Sequence, residues 1–254
     1  MLLLVRKIFV AMCVALCVAH SSFAKVPDDD NILLEITTPQ SENYYPNLMM
    51  RFMYGDTTLT RSNYHYLYYG FAFDDRYKPL ETISDMDTLL ELAAQLDVKN
   101  LSGDRDLLGR IVTTGERILV RDPFNPKVWN LMAFAYGGLG DKEKEVAAYK
   151  RVESILATIL ESGDGTKQRS PRHVLMFDHA LDLLAAQNLH HLSPKIVSRT
   201  VEYIPLMAPR SIDGEKVRGY FFDFGRVYRN KPDSVTYKRD RTWQFNNLPV
   251  REYK

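Results

Sequence analysis

Cysteine is nearly missing from this chain: its 254 residues hold two, Cys13 and Cys17, and both stand in an apolar run at residues 8–19. A chain that loses this run has no thiol left, which excludes a disulfide framework, a thiolate metal site and a cysteine nucleophile. Long apolar runs are lacking too. Residues 8–19 fall short of the roughly 20 that a membrane-spanning helix needs, and Arg6 and Lys7 stop the run on its N-terminal side. Neither sign of charge dominates, with 33 Lys plus Arg against 32 Asp plus Glu, so nothing points to nucleic acid or to a polybasic membrane patch. The motifs HExxH and GxSxG do not occur. The run GGLG at 137–140 has no GK[ST] after it and no strand before it, so it is a glycine turn between helices rather than a phosphate loop.

What the chain does have is an address. Two positive charges, a short apolar run and the small residues Ser22 and Ala24 are the parts of a secretory signal peptide. They predict export through an inner membrane, cleavage after Ala24, a periplasmic or extracellular location and no integral span in the mature protein. Neither cysteine follows a small residue, so neither fits lipid attachment. Removing residues 1–24 leaves 230 residues without cysteine and a net charge of −1, because Arg6 and Lys7 are lost and no acid is. A chain of this length is stabilised by burial alone. The aspartates Asp28, Asp29 and Asp30 are expected to be a solvated start.

Residues 25–43 read as a polar lead-in containing one apolar patch, 32–36, that suits a short strand or a helix. Helical spacing dominates residues 44–197. Pro46 precedes Leu48, Met49, Phe52 and Met53, and Gly55 ends the turn. Thr60 can cap a helix in which Tyr64, Leu67, Tyr68 and Phe71 form one stripe. Ser84 with Asp87 resembles a capping box, Asp104 can cap the helix carrying Leu107, Ile111, Thr114 and Ile118, and Ser170–Pro171 signals another start. Beyond residue 198 the period becomes alternating. The runs RTVEYIP and KVRGYFFDFGRVY, followed by Val235 with Tyr237 and Trp243 with Phe245, predict a small antiparallel β element packed on the helical domain. The fold class is therefore mainly α, with a C-terminal β segment over 198–254.

Seven of the ten residues in YHYLYYGFAF, at 64–73, are aromatic. The stripe assigns most of them to a core, while Tyr66 and Tyr69 fall off it and are expected to face outward. The polar site to look for is Asp56, Thr57 and Thr58 with His65, Tyr66, Tyr69, Asp74 and Asp75, since carboxylates and histidine among aromatics serve both glycan recognition and acid–base chemistry. Asp74 and Asp75 are adjacent and point apart, which weakens a paired-carboxylate mechanism, and no catalytic residue is assigned. His173 and His179 do not share a helix face. Asp178, His179 and Asp182 are expected to be a solvated face rather than a metal site, so neither metal nor cofactor is expected.

The segment at 122–152 has Trp129, Ala133, Tyr136, Gly140 and Tyr149 spaced as in a tetratricopeptide repeat, with Pro123 where a preceding unit would end. A tetratricopeptide-like hairpin is thus expected over 123–156, within an array of antiparallel helices. The tyrosine-proline start at 45–46, the GDTTLT run at 55–60, LYYGF at 67–71, YKP at 77–79 and the strand GYFFDF resemble domain-of-unknown-function family 4919, secreted proteins of Gram-negative bacteria. The resemblance covers nearly the whole mature chain and implies a signal peptide and a helical fold, with no catalytic residues to carry over. The expected function is a non-enzymatic scaffold of the cell envelope that holds a protein or peptide partner. The alternative is an oligosaccharide, bound or processed by segment 56–75.

Overall fold

The computed structural model describes residues 25–96, 103–212 and 214–229. Its elements run α1 (Asp29–Thr37), α2 (Tyr45–Met53), α3 (Arg61–Gly70), a 3-10 turn (Phe71–Phe73), α4 (Asp85–Ala94), α5 (Arg105–Arg121), α6 (Pro126–Leu139), α7 (Lys142–Glu161), β1 (Arg172–His173), α8 (Phe177–Ala186), β2 (Lys195–Ile196), β3 (Val201–Ile212), β4 (Glu215–Asp223) and α9 (Gly225–Arg229). The fold is mainly helical with a small sheet, and among the described residues no helix is long and apolar enough to cross a membrane.

Local chemistry sets the helix ends. Thr60 accepts from the Asn63 backbone N–H at 3.1 Å while the Asn63 side chain accepts from the Thr60 N–H, a reciprocal cap on α3. Asp104, Asn125 and Asp141 cap α5, α6 and α7 in the same one-sided way. Gly140 closes α6 at φ +85°, a left-handed conformation that glycine adopts without strain. Ser84 makes no side-chain cap for α4, because its backbone is already helical there and its hydroxyl is not presented to the free N–H groups.

Helices α4, α5, α6 and α7 pack in succession, each against the next, and α3 lies against α7, α1 and α2. The α5–α6 crossing is close enough that a Cβ at Gly115 would stand 2.7 Å from Met132 Sδ. Phe124, in the turn between α5 and α6, is fully buried against Phe52, Tyr68 and Phe71, with ring centroids 5.0–5.9 Å apart. Trp129 packs edge-on with Phe52, the Arg151 guanidinium contacts both rings at 4.2 Å from Trp129 and 5.2 Å from Phe52, and the indole N–H donates to Pro123 O. Arg151 in turn donates to the carbonyls of Phe52 and Met53, so a cation from α7 closes the C-terminal end of α2. Ala133 and Tyr136 are buried as expected, and Tyr149 stays more than one-third exposed against Phe134. Met53 points outward, since the Arg151 contact uses its carbonyl and leaves its side chain in solvent.

The sheet order is β1-β4-β3-β2. It is mixed: β3 pairs antiparallel with β4 and β2, but β1 pairs parallel with β4. Residues 170–173 are where the sequence pattern misleads. Ser170–Pro171 leads into β1 instead of a helix, because the Val174 N–H is taken by Asp223 O and the Arg172–Phe222 pairing extends the chain; α8 begins only at Phe177. Tyr220 and Phe222 lie on the buried face of β4, and Phe224 just past its end is buried as well. The end of the KVRGYFFDFGRVY run, Gly225 to Tyr228, is helical instead of strand, as part of α9, and the runs around Val235 and Trp243 lie outside the described residues.

Replacing Trp129 with alanine removes a buried ring packed on Phe52 and the Arg151 guanidinium and should cost about 3–5 kcal/mol of stability. Urea unfolding followed by circular dichroism measures this, and an unchanged midpoint would show that the α6–α7 hairpin does not depend on its tryptophan.

Candidate functional site

The residues singled out between 56 and 75 do not converge. Asp56 accepts from the Thr58 hydroxyl at 2.6 Å, the Thr58 N–H at 2.8 Å and Arg51 Nε at 2.7 Å, which together hold its carboxyl down to about 2. It is a turn-former ahead of α3, and Thr57 beside it is exposed with no bond to the loop. Asp74 lies at the far end of α3, about 15 Å along a ten-residue helix, where it pairs with Arg76 at 2.5 Å; Asp75 is exposed.

The middle of the segment is spent on packing. Tyr69, expected to face outward, is fully buried, because α3 is covered on a second side by β1 and α9: its hydroxyl donates to His173 O and Arg226 lies 5.1 Å from its ring. Tyr66 is half-buried, donates to Asn31 Oδ1 and carries Lys25 Nζ 5.1 Å above its ring. His65 is buried between the two tyrosine rings. Burial, then the charges of Lys25 and Arg226, push its pKa to about 3, so it is neutral near neutrality and cannot serve as a general acid there.

Of the face of α8 expected to be solvated, Asp178 is exposed, but His179 and Asp182 belong to the core. His179 is 0 % exposed, with Nδ1 2.8 Å from the Tyr68 hydroxyl and Nε2 3.1 Å from Asp122 Oδ2. The Leu175 N–H donates to the Tyr68 oxygen, which frees that hydroxyl to donate to Nδ1 and leaves the proton on Nε2 for Asp122. Burial opposes a charge on His179, but the Asp122 carboxylate, with Asp182 and Asp178 behind it, prevails and raises its pKa. Asp182 is buried and paired with Lys127 at 2.9 Å. The Tyr–His–Asp chain has the parts of a proton relay, yet no solvent reaches it, and it acts as a structural tie.

The accessible polar concavity lies elsewhere, between α4 and α5. A groove of about 540 Å³ is bounded by Thr88 and Leu92 on α4 and by Arg105, Gly109, Arg110 and Arg117 on α5, with Asp106 at one end. Arg110 and Arg117 are seven residues apart and share a helix face. Arg117 is held by Asp85 at 2.8 Å and Arg105 reaches toward Leu139 O, whereas Arg110 is exposed and makes no ion pair among the described residues. Nothing stands within 4 Å of where a Cβ on Gly109 would be, so the groove is open at its middle. A second concavity of about 350 Å³ between α1, α2 and α3 is lined by Tyr44, Tyr45, Phe73 and Asp74 among others. Sequence reading passed over the first groove because attention to aromatics hides it. The visible signal was the arginine spacing at 105, 110 and 117 on one amphipathic helix.

Because the His65 pKa is lowered on folding, the unfolded chain takes up a proton that the folded chain refuses. Stability is full above about 6.5, the unfolded value, and falls as pH drops toward 3. Thermal melts of the wild type and His65→Phe across this range should show the loss shrinking in the variant; parallel curves would place the acid sensitivity elsewhere.

A search of curated proteins and of solved structures finds no match to this chain. A family model does match, described as Domain of unknown function (DUF4919), over residues 30–232, from the start of α1 past the end of α9. With most of its length covered in this way, the chain belongs to the DUF4919 family.

Proposed function

We propose that this protein is a non-enzymatic helical scaffold, exported to the cell envelope, that holds an acidic peptide segment of a partner protein in the α4–α5 groove. The observation that carries the reading is the exposed Arg110, without an ion pair among the described residues, between Arg105 and Arg117 along an open groove. A guanidinium binds carboxylates through two parallel N–H···O bonds, which gives both charge and direction. Asp106 and Asp85 break the positive stretch, so a partner must place its acids in register instead of merely being acidic. A leader sequence and a mature chain without cysteine support an envelope address.

A second reading is favoured by the α1–α3 concavity, where the half-exposed Phe73 ring stands beside Asp74. Aromatic faces with a carboxylate suit a sugar ring, which keeps the oligosaccharide alternative in view but moves it away from Tyr66 and Tyr69.

Arg110→Glu should leave the melting temperature unchanged, as exposed substitutions do, and weaken binding of a glutamate-rich peptide at least tenfold, about 1.4 kcal/mol. Fluorescence anisotropy at low and high salt reads this; equal binding of a lysine-rich peptide would sink the proposal. Phe73→Ala losing a saccharide that the wild type binds would favour the second reading.

A further inference from the structure

Residues 25–28 are tied into the fold at the point where removal of the leader would start the chain. The Lys25 N–H donates to Glu161 O at 2.7 Å, at the C-terminal end of α7. Two residues on, Pro27 is buried and its carbonyl accepts from Arg226, and Asp28 caps α1. Asp29 pairs with Arg226 and with Arg229, so one of the three aspartates expected to be solvated is held by α9, while Asp28 and Asp30 are exposed.

The receiving helix is short of one thing. Over its 20 residues α7 carries Glu143 and Glu145 in its first turn, which complement the positive end of its dipole, but no basic residue in its last turn. Of its final carbonyls, Ile159 O is taken by Ser162 through both backbone N–H and hydroxyl, and Glu161 O by Lys25. The charged and titratable groups at this corner are Glu161 from α7, Arg61, His65, Tyr66 and Tyr69 from α3, Arg226 from α9, and the Lys25 side chain, whose Nζ lies 3.5 Å from Ser62 Oγ. Arg61 already pairs with the Glu161 carboxylate at 2.5 Å, and His65 is neutral, so the main-chain carbonyl end of α7 is what remains for a further cation.

We infer that cleavage after Ala24 creates a structural cation: the α-ammonium of Lys25 docks on the C-terminal end of α7 and donates to main-chain carbonyls there, a role that no basic residue in the last turn of α7 fills. The step rests on the leader reading of residues 1–24. Hydrolysis of the Ala24–Lys25 bond by a peptidase of the export apparatus adds one water, leaving a carboxylate on Ala24 and an ammonium on Lys25. One N–H donor becomes three, at a site already within hydrogen-bond reach of Glu161 O.

The test compares two purified proteins, one starting at Lys25 and one retaining Ser22, Phe23 and Ala24 ahead of it. At pH 6.5 the Lys25-start protein should melt about 2–4 °C higher. A cation that gains a partner on folding stabilises fully below its unfolded pKa, about 7.7–8.0 for an α-amine, and that stability is lost as pH rises through its folded pKa. The gap should therefore close by pH 10. Equal melting at pH 6.5, or a gap undiminished at pH 10, overturns the docked ammonium. N-terminal sequencing of the exported native protein tests the leader boundary separately, and a start other than Lys25 overturns the maturation step whatever the melts show.

Discussion

A buried imidazole with both nitrogens committed sets the terms for the rest of this molecule. His179 joins the Tyr68 hydroxyl on α3 to the Asp122 carboxylate at the end of α5, three segments that lie far apart in the chain. Each group would be costly to bury alone, so α8 must dock where both partners meet it, and the α5–α6 turn must hold its carboxylate there. Asn125 fixes that turn from within, donating to Asp122 Oδ2 with its amide while its oxygen caps α6. The aromatic cluster around Phe124 packs on the same turn. One polar chain therefore sets the register between the helical array and the segment that leads into the sheet.

Polar chemistry elsewhere divides by depth. At the helix ends it is spent on closure: Arg151 finishes α2, Arg226 clamps Pro27 and Asp29, and Lys25 reaches α7. Along α5 it is left in solvent, where Arg110 has no partner among the described residues and Arg117 is only half engaged with Asp85 on the facing helix. Groups committed to closure are unavailable for binding without loss of the fold, and groups in an open groove carry no such penalty. That division is the physical reason for placing the functional reading in the α4–α5 groove and not in the aromatic segment.

Much of the architecture was legible beforehand from particular elements. The stripe Tyr64, Leu67, Tyr68 and Phe71 is buried to within 2 % exposure, and Thr60, Asp104 and Gly140 end their helices as their chemistry requires. Periodicity failed where two faces are buried at once: α3 is wrapped on a second side, so Tyr69 off the main stripe is as deep as Tyr68 on it. It failed again on α8, because a polar side chain reads as solvated unless its distant partners are known. Ser170–Pro171 has the form of a helix start, and a single parallel pairing with β4 outweighs it.

By itself the sequence determined the composition of the helices, their caps and the alternation of the two long strands, since these depend on neighbours within about one turn or one pleat. The confinement of both cysteines to the first 24 residues is likewise a property of the string. Only the tertiary structure decided which polar residues are structural, because a hydrogen bond between Tyr68 and His179 spans 111 positions and leaves no local mark. The same holds for the groove: Arg105, Arg110 and Arg117 of α5 line one concavity only when α4 lies beside them.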